Sequence, residues 1–251
     1  MKVFKSALLI GNRLNLTTAS KEVDVAERKK KSGTSDSIWS ESLAEMAGRQ
    51  GEWIQDRKRL RAGVSAVVLT PVENGIGVIL NRFDSGHPTA AGQLSTPAGI
   101  WEGNEDLKTA AMRELGEEVI LKDGNCLGYW SFDFGLLSPE WVGEYSQAHK
   151  LKTINFYVPI SPYEMEGLVE IVLDGHPQGK ALLAYEPITG GIEILFVFET
   201  TVCVNGMIVD GERFKEEWLH REVGVFTLDQ LIKEEKKTTK VEAVEALLHN
   251  L

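Results

Sequence analysis

The segment from Glu105 to Val119 has the pattern of an amphipathic helix with an acidic end. Its apolar residues recur at helical spacing and would form one stripe: Leu107, Ala110, Ala111, Met112, Leu115 and Val119. Asn104 is expected to cap the helix, and Glu105 adds negative charge at the positive end of the helix dipole. Because the stripe must be buried, the pattern predicts a helix packed on a sheet.

The sequence around this helix supplies candidate strands. Val64 to Val72 and Ile76 to Leu80 are rich in β-branched residues, and the Glu-Asn-Gly between them is a hairpin signal. Further strand candidates lie downstream, at Leu127 to Phe134, Thr153 to Ile160, Ile192 to Val204 and Met207 to Val209. The helices are too few to give every strand a crossover partner, so the fold class expected is α+β with a mixed sheet.

The chain after Val225 reads as two helices. Thr227 and Gln230 match a capping box at the start of the first. The second would bury four apolar residues, Val241, Val244, Leu247 and Leu248. These helices would close a domain that begins near Gly63.

Two domain boundaries are expected. Residues 1–62 read as an N-terminal extension with a short strand at Lys2 to Ile10, a mobile linker and a short helix within Ile38 to Ile54. Residues 63–251 read as the main domain, with an insertion at about 161–191 that contains several Pro and Gly. The insertion would serve as a lid or a dimer contact, and the extension as a surface for a homodimer.

Composition indicates which class of partner and which cellular compartment suit this chain. Lys plus Arg total 27 and Asp plus Glu total 37, a net charge of −10, so a nucleic acid is a poor partner and a small phosphate ligand held through a cation fits better. No apolar run approaches the roughly 20 residues that span a bilayer. The two cysteines, Cys126 and Cys203, form no Cys-x-x-Cys pair, which favours a reducing compartment, the cytoplasm.

The acidic end of the helix is the strongest chemical signal. Glu114, Glu117 and Glu118 stand three and four residues apart, so their side chains project from one helical face. Like charges so placed repel, and the cluster makes sense if Arg113 or a cation offsets them. Oxygen ligands without thiolates select a hard cation, Mg²⁺ or Mn²⁺.

At these residues the chain resembles a known family. The Nudix box reads Gly-x5-Glu-x7-Arg-Glu-U-x-Glu-Glu-x-Gly-U, with U apolar, and it is matched by Gly99, Glu105, Arg113, Glu114, Leu115, Glu117, Glu118 and Leu121. Ile120 departs from the box, since the family has Gly there to end the helix. A β-branched residue at positive φ is strained, so the helix is expected to run on toward Asp123 and Gly124.

The resemblance implies a fold and a site. The fold would be an α/β/α sandwich around a mixed sheet. Carried over position by position, the metal ligands would be Gly99 through its carbonyl, Glu114, Glu117 and Glu118. Arg113 and Glu105 would hold the loop and the helix in register.

The implied reaction is attack of a metal-activated water on one phosphorus of a diphosphate. In the family the general base is a box glutamate or a glutamate from a distant loop. Glu117 or Glu118 is the preferred base here. Glu144 and Glu222 are the loop alternatives, although an exposed loop carboxylate is the more ordinary role for both.

Substrate signals are shorter. Leu137 to Glu144 resembles a segment of the ADP-ribose pyrophosphatase branch, which implies that Trp141 stacks on a base or ribose and that Glu144 approaches the metal. A plain turn with Trp141 in the core is an equal alternative. Arg82 is a candidate phosphate contact, whereas the cluster from Arg57 to Arg61 reads as a solvated arm.

Several readings therefore stay open. ADP-ribose or a nucleotide sugar is the favoured substrate, followed by nucleoside triphosphates and dinucleoside polyphosphates, and a non-catalytic nucleotide-binding module is the alternative to an enzyme. Trp101 is expected in the core. The histidines share no ligand spacing and are expected at the surface or as caps: His87, His149, His176, His220 and His249.

Overall fold

A computed structural model describes residues 13–15, 62–101, 105–132, 135–138, 140–148, 151–154, 160–162, 165, 168–173, 176–186, 191–214 and 220–251. The predicted strand at Lys2 to Ile10, the predicted helix within Ile38 to Ile54 and the basic cluster at Arg57 to Arg61 lie outside these residues. No helix among the described residues is long and apolar enough to cross a membrane.

The described strands, in chain order, are β1 (Arg13–Asn15), β2 (Ala62–Val72), β3 (Gly75–Phe83), β4 (Leu94–Ser95), β5 (Ala98–Ile100), β6 (Val119–Asp123), β7 (Cys126–Gly128), β8 (Trp130–Phe132), β9 (Gly135–Leu137), β10 (Lys152–Ile154), β11 (Ile160–Pro162), β12 (Val169–Leu173), β13 (His176–Glu186), β14 (Gly191–Thr200), β15 (Ile208–Asp210) and β16 (His220–Thr227). The helices are α1 (Leu107–Glu118), α2 (Glu140–Ala148), α3 (Leu228–Lys233) and α4 (Thr239–Leu248), with a 3₁₀ turn at Gly211–Phe214.

The central sheet is mixed, as the sequence predicts. Its strand order is β1-β12-β13-β14-β2-β3-β16, with β4, β5 and β11 paired to its members. Strand β2 pairs in parallel with β14 and antiparallel with β3. The predicted hairpin is confirmed, because Val72 pairs with Gly75 across a two-residue turn.

Helices cover both faces of this sheet, which confirms the α/β/α sandwich. Side chains alternate along β2, so Val64, Ala66 and Val68 pack in the same apolar cluster as α1. Val67 and Leu69 face the other way and pack with α3 and α4. The predicted capping box is present, with Gln230 Oε1 accepting from Thr227 N at 2.8 Å.

The two ends of α1 differ from the sequence prediction. The N-cap is Asp106, whose side chain accepts from Thr109 N, and the predicted cap Asn104 lies outside the described residues. The helix does not continue past the box. It ends at Glu118, and Val119 caps it in an extended conformation with φ −128°.

Ile120 fits this exit without strain because it lies in a strand. Strand β6 follows α1 directly and belongs to a smaller sheet of order β10-β7-β6-β15. Ile120 pairs with Val209 there and is buried. A β-branched residue suits such a position, and no left-handed residue is required at this end of the helix.

The segment expected as an insertion contributes strands to the central sheet. Strand β12 pairs antiparallel with β13, and β13 pairs antiparallel with β14 over six residue pairs. Strand β1 adds to the outer side of β12 in parallel. This side of the sheet lies away from β3 and β16, where the residues of the candidate site meet.

Candidate active site

Arg113 connects the start and the end of the box helix. Its guanidinium contacts Glu105 at 2.8 Å and Glu114 at 2.7 Å, and its Nη1 lies 3.5 Å from Glu117 Oε1. Nη2 also donates to the carbonyl of Ile100. Burial disfavours the charge on Arg113, but hydrogen bonds to Glu105 and Glu114 outweigh it and raise the pKa of the guanidinium. One cation therefore gathers three carboxylates around the loop that leads into α1.

Gly99 allows the closest of these approaches. A Cβ built at Gly99 would overlap the Glu114 carboxylate, so only a glycine lets that carboxylate lie against β5. The predicted ligands Gly99 and Glu114 are thus neighbours.

Glu118 is the most enclosed of the three glutamates at the helix end. Its Oε2 accepts from Asn81 Nδ2 at 2.7 Å and from Ala98 N at 3.2 Å. The side chain is only 12% exposed. Burial raises the pKa of the Glu118 carboxyl to about 8, against the opposing effect of His220 and with the support of the Glu114 charge.

His220 lies behind this carboxylate, contrary to the expectation that the histidines lie at the surface. Its side chain is 1% exposed, and Nε2 lies 3.0 Å from Asn81 Nδ2 and 4.0 Å from Glu118 Oε1. Nδ1 lies 3.8 Å from Oδ1 of the equally buried Asp210. Burial lowers the pKa of His220, but Asp210 and Glu118 raise it by more, so the net shift is upward.

The donor set at the end of α1 fits a hard cation. It consists of carboxylate and carbonyl oxygens, and the charged Arg113 Nη1 already lies within 3.5 Å of oxygens from both Glu114 and Glu117. The carboxylates do not meet at one point in this arrangement. Across the described ranges, no group of three or more His, Cys, Asp or Glu side chains has the geometry to hold a metal ion. Arg113 draws Glu114 aside, and Asn81 with Ala98 holds Glu118.

The 3₁₀ turn at Gly211–Phe214 packs tightly on the end of α1. A Cβ built at Gly211 would collide with the backbone carbonyl oxygen of Glu117, and backbone cannot move aside as a flexible side chain would. Gly211 therefore fixes the distance between this turn and the box helix.

Gly211→Ala is expected to destabilise the protein by about 1–3 kcal/mol, because the added methyl overpacks against backbone. The free energy of unfolding from urea denaturation measures this. Gly143→Ala is the matched control, since Gly143 is exposed on α2 and a Cβ there meets nothing within 4 Å. Equal stability of the two variants would contradict the close approach.

Arg82, the predicted phosphate contact, lies on the other face of β3 from Asn81. Its guanidinium contacts Glu234 at 2.7 Å and Glu222 at 3.2 Å and donates to the carbonyl of Gly92. Glu234 is the main cause of the raised pKa of Arg82. An open cleft of about 730 Å³ lies beside it, lined by Arg82, Ser85, Ala91, Gly92, Glu222 and Lys236.

The other predicted contacts lie elsewhere. Glu144 is exposed on α2, and Trp141 is in the same helix with a side chain outside the described set. Glu222, the second loop candidate for the base, lies on β16 and pairs with Arg82. Trp101 is buried as predicted and donates from Nε1 to the carbonyl of Glu105.

Sequence reasoning missed three polar residues around Glu118. Asn81, Asp210 and His220 are buried and lie on β3, β15 and β16. The only signal in the sequence is a polar residue within or beside an apolar strand, as at Asn81 between Leu80 and the end of β3.

The helix α1 lies within a part of the chain that matches a known protein domain. Residues 59–148 match the model of the NUDIX domain. Similar solved structures include an Ap4A hydrolase binary complex from C. elegans, 13% identical, covering 76% of this chain and 94% of that chain with a TM-score of 0.39. The NUDIX domain of Shewanella oneidensis NrtR complexed with ADP ribose is 12% identical, with 79% and 96% covered and a TM-score of 0.42.

A NUDIX hydrolase from Alicyclobacillus acidocaldarius is 15% identical, with 75% of this chain and 90% of that chain covered and a TM-score of 0.44. No curated protein matches the chain. The matched domain range contains all of α1 and the strands β2, β3 and β5 around it.

Proposed function

We propose that this chain, whose residues 59–148 match the model of the NUDIX domain, is a Nudix pyrophosphohydrolase that hydrolyses the diphosphate linkage of a nucleoside diphosphate derivative with Mg²⁺. ADP-ribose or a nucleotide sugar is the preferred substrate. The observation that carries this proposal is the arrangement at the end of α1, where a buried Glu118 lies beside a carboxylate cluster gathered by Arg113.

Glu118 is the preferred general base. Burial raises the pKa of its carboxyl to about 8 in the metal-free protein, so its ionised carboxylate is a stronger proton acceptor than an exposed one. Oε2 is held by Asn81 and Ala98, which fixes the plane of the carboxyl group. In the proposed step a water oxygen bonds to phosphorus, the bridging P–O bond breaks, and Glu118 takes the proton that the water loses.

The residues that would hold the cation are Glu114, Glu117 and Glu118, with the carbonyl of Gly99. A bound Mg²⁺ or Mn²⁺ supplies positive charge that lowers the pKa of a ligated water and offsets charge on the phosphoryl oxygens. Arg113 and Glu105 keep the loop and the helix end together in this proposal. Enzymes of this family use divalent cations, and Mg²⁺ is preferred here because oxygen ligands suit it.

The proposal includes substrate contacts outside the acidic cluster. Arg82, Trp141 and Glu144 remain predicted substrate contacts. The Arg82 guanidinium is already held by Glu234 and Glu222.

The two cysteines, both free, suit the cytoplasm. The N-terminal extension, residues 1–62, stays a proposed homodimer surface beside the domain at 63–251.

The proposal is tested with a panel of phosphoanhydrides in the presence of Mg²⁺ or Mn²⁺. ADP-ribose, nucleotide sugars, nucleoside triphosphates and dinucleoside polyphosphates are compared by the monophosphate, diphosphate or phosphate released. When the reaction is run in ¹⁸O water, mass spectrometry of the products identifies the phosphorus that is attacked. We expect the highest kcat/KM for ADP-ribose or a nucleotide sugar, with ¹⁸O in one monophosphate product.

The outcomes of this panel distinguish the alternative substrates and the alternative of a non-catalytic protein. Highest activity on triphosphates or dinucleoside polyphosphates would retain the hydrolase and reject the preferred substrate. Tight nucleotide binding without release of product would favour the non-catalytic binding module.

A further inference from the structure

We propose that His220, oriented by Asp210, is a positioning residue that acts on Glu118 through Asn81. This inference rests on the proposed function, in which Glu118 is the base and a cation ligand. It assigns a role to three residues that the Nudix box does not contain.

The four side chains form a continuous buried series. Asp210 Oδ1 lies 3.8 Å from His220 Nδ1, His220 Nε2 lies 3.0 Å from Asn81 Nδ2, and Asn81 Nδ2 lies 2.7 Å from Glu118 Oε2. The side chains of Asp210 and His220 are each 1% exposed. Burying an ionisable pair is costly unless each group is matched, so this placement needs a compensating role or partner.

The contact with Asn81 determines which ring nitrogen of His220 accepts a hydrogen bond. An amide nitrogen only donates, so its approach to His220 Nε2 requires a lone pair on that nitrogen. In the neutral ring the proton then lies on Nδ1, the nitrogen that faces Asp210. Asn81 consequently directs one N–H to the ring and the other to the carboxyl oxygen of Glu118, which keeps that oxygen in place.

A β-bulge places His220 on this face of the sheet. Glu222 pairs with Arg82 and His220 pairs with Phe83, so two steps along β16 match only one step along β3. Without the bulge His220 would share a face with Glu222 and Arg82, on the side away from Asn81. Bulges commonly re-aim a side chain near an active site, and here one directs the ring toward Glu118.

The exit of the box helix brings Asp210 to the same place. Strand β6 begins at Val119, directly after Glu118, and Asp210 of β15 pairs with Val119. The departure from the box at Ile120 therefore permits the strand pairing that supports the ring of His220. Arg213 and the backbone N–H of Glu212 contact Asp210 in turn, at 3.5 Å and 3.0 Å.

Two substitutions of similar size and polarity test the role of the ring. In His220→Gln the side-chain amide can reach the position of Nε2 and accept from Asn81, whereas in His220→Asn it reaches only the position of Nδ1. We expect kcat of the Gln variant within about threefold of the unsubstituted chain, and kcat of the Asn variant lower by about 10- to 100-fold with KM nearly unchanged. His249→Gln, at an exposed position, is the control.

Asp210→Asn tests whether Asp210 sets the position of the proton on the His220 ring. The variant loses the negative charge that favours a proton on Nδ1, so the ring form with its proton on Nε2, which cannot accept from Asn81, becomes more populated. We expect a loss of kcat close to that of His220→Asn.

Binding of Mn²⁺, followed by electron paramagnetic resonance without substrate, gives a readout that needs no turnover. Affinity should fall about tenfold or more in His220→Asn and Asp210→Asn and stay within about threefold in His220→Gln. Equal kcat and equal Mn²⁺ affinity for the Gln and Asn variants, or a ranking that only follows the melting temperature, would overturn the proposal. If the unsubstituted chain hydrolyses nothing, the proposed function fails while the Mn²⁺ titrations still decide the positioning role.

Discussion

Glu118→Gln is expected to lower kcat by about 10²- to 10⁴-fold and to leave KM within about threefold, because the variant loses a proton acceptor but no bulk. The glutamine amide keeps an oxygen that can accept from Asn81 and Ala98, as Glu118 Oε2 does. The change therefore separates the chemistry of the carboxyl group from its packing. Steady-state kinetics on the best substrate of the panel measure the effect.

The control for this variant is Glu242→Gln, which makes the same chemical change on an exposed position of α4. It should keep the activity of the unsubstituted chain. A Glu118→Gln enzyme with unchanged kcat would exclude Glu118 as the base and return Glu117, Glu144 and Glu222 as the candidates.

Local patterns were enough to predict the elements that frame this site. The spacing from Leu107 to Leu115 predicts α1, and Glu-Asn-Gly predicts the β2–β3 turn, because both depend on residues close together in the chain. Arg113 meets Glu105 for a similar reason, since both lie on one helix and its preceding loop. The position of the acidic cluster relative to the sheet follows from the apolar stripe of the helix.

The surroundings of Glu118 depend on pairings that no local pattern encodes. Asn81 and His220 are separated by 139 positions and meet only because β16 pairs with β3. The bulge between His220 and Glu222 then decides which face each side chain takes. A single shifted register would exchange them, so sequence alternation alone could not predict a buried histidine here.

The end of α1 illustrates how a correct local argument gave a wrong element boundary. Ile120 does disfavour the positive φ that a helix-ending glycine supplies. The chain meets this restriction by entering β6 at Val119, where pairing with β15 satisfies the backbone. The partner strand lies almost ninety positions downstream, at Ile208–Asp210. Helix-capping rules consider only residues near the helix end, so they could not predict this pairing.

The metal-free protein is expected to lose stability as pH rises from about 4.5 to about 8. Burial raises the pKa of Glu118 to about 8 in the folded state, against an ordinary value of 4.5. Between these values the folded chain keeps a proton that the unfolded chain has released, so the free energy of unfolding falls with rising pH. The loss reaches about 5 kcal/mol above pH 8 and is absent below the unfolded pKa.

Urea denaturation in EDTA, between about pH 5 and pH 9, measures this dependence. Glu118→Gln has no proton to lose at this position, so its stability relative to the unsubstituted chain should increase steadily across the range. Glu242→Gln should follow the unsubstituted chain, which removes the contribution of the other titrating groups. Parallel profiles for all three chains would contradict a buried, protonated Glu118.

Replacing EDTA with Mg²⁺ or Mn²⁺ extends the same measurement to the proposed cation site. A cation that binds only the folded state stabilises it by about 2.7 kcal/mol at one hundred times its dissociation constant. The gain should be large for the unsubstituted chain above pH 8, where Glu118 is ionised, and small for Glu118→Gln. The cation would then offset the cost of the buried carboxylate, and one residue would account for lower metal-free stability and for catalysis alike.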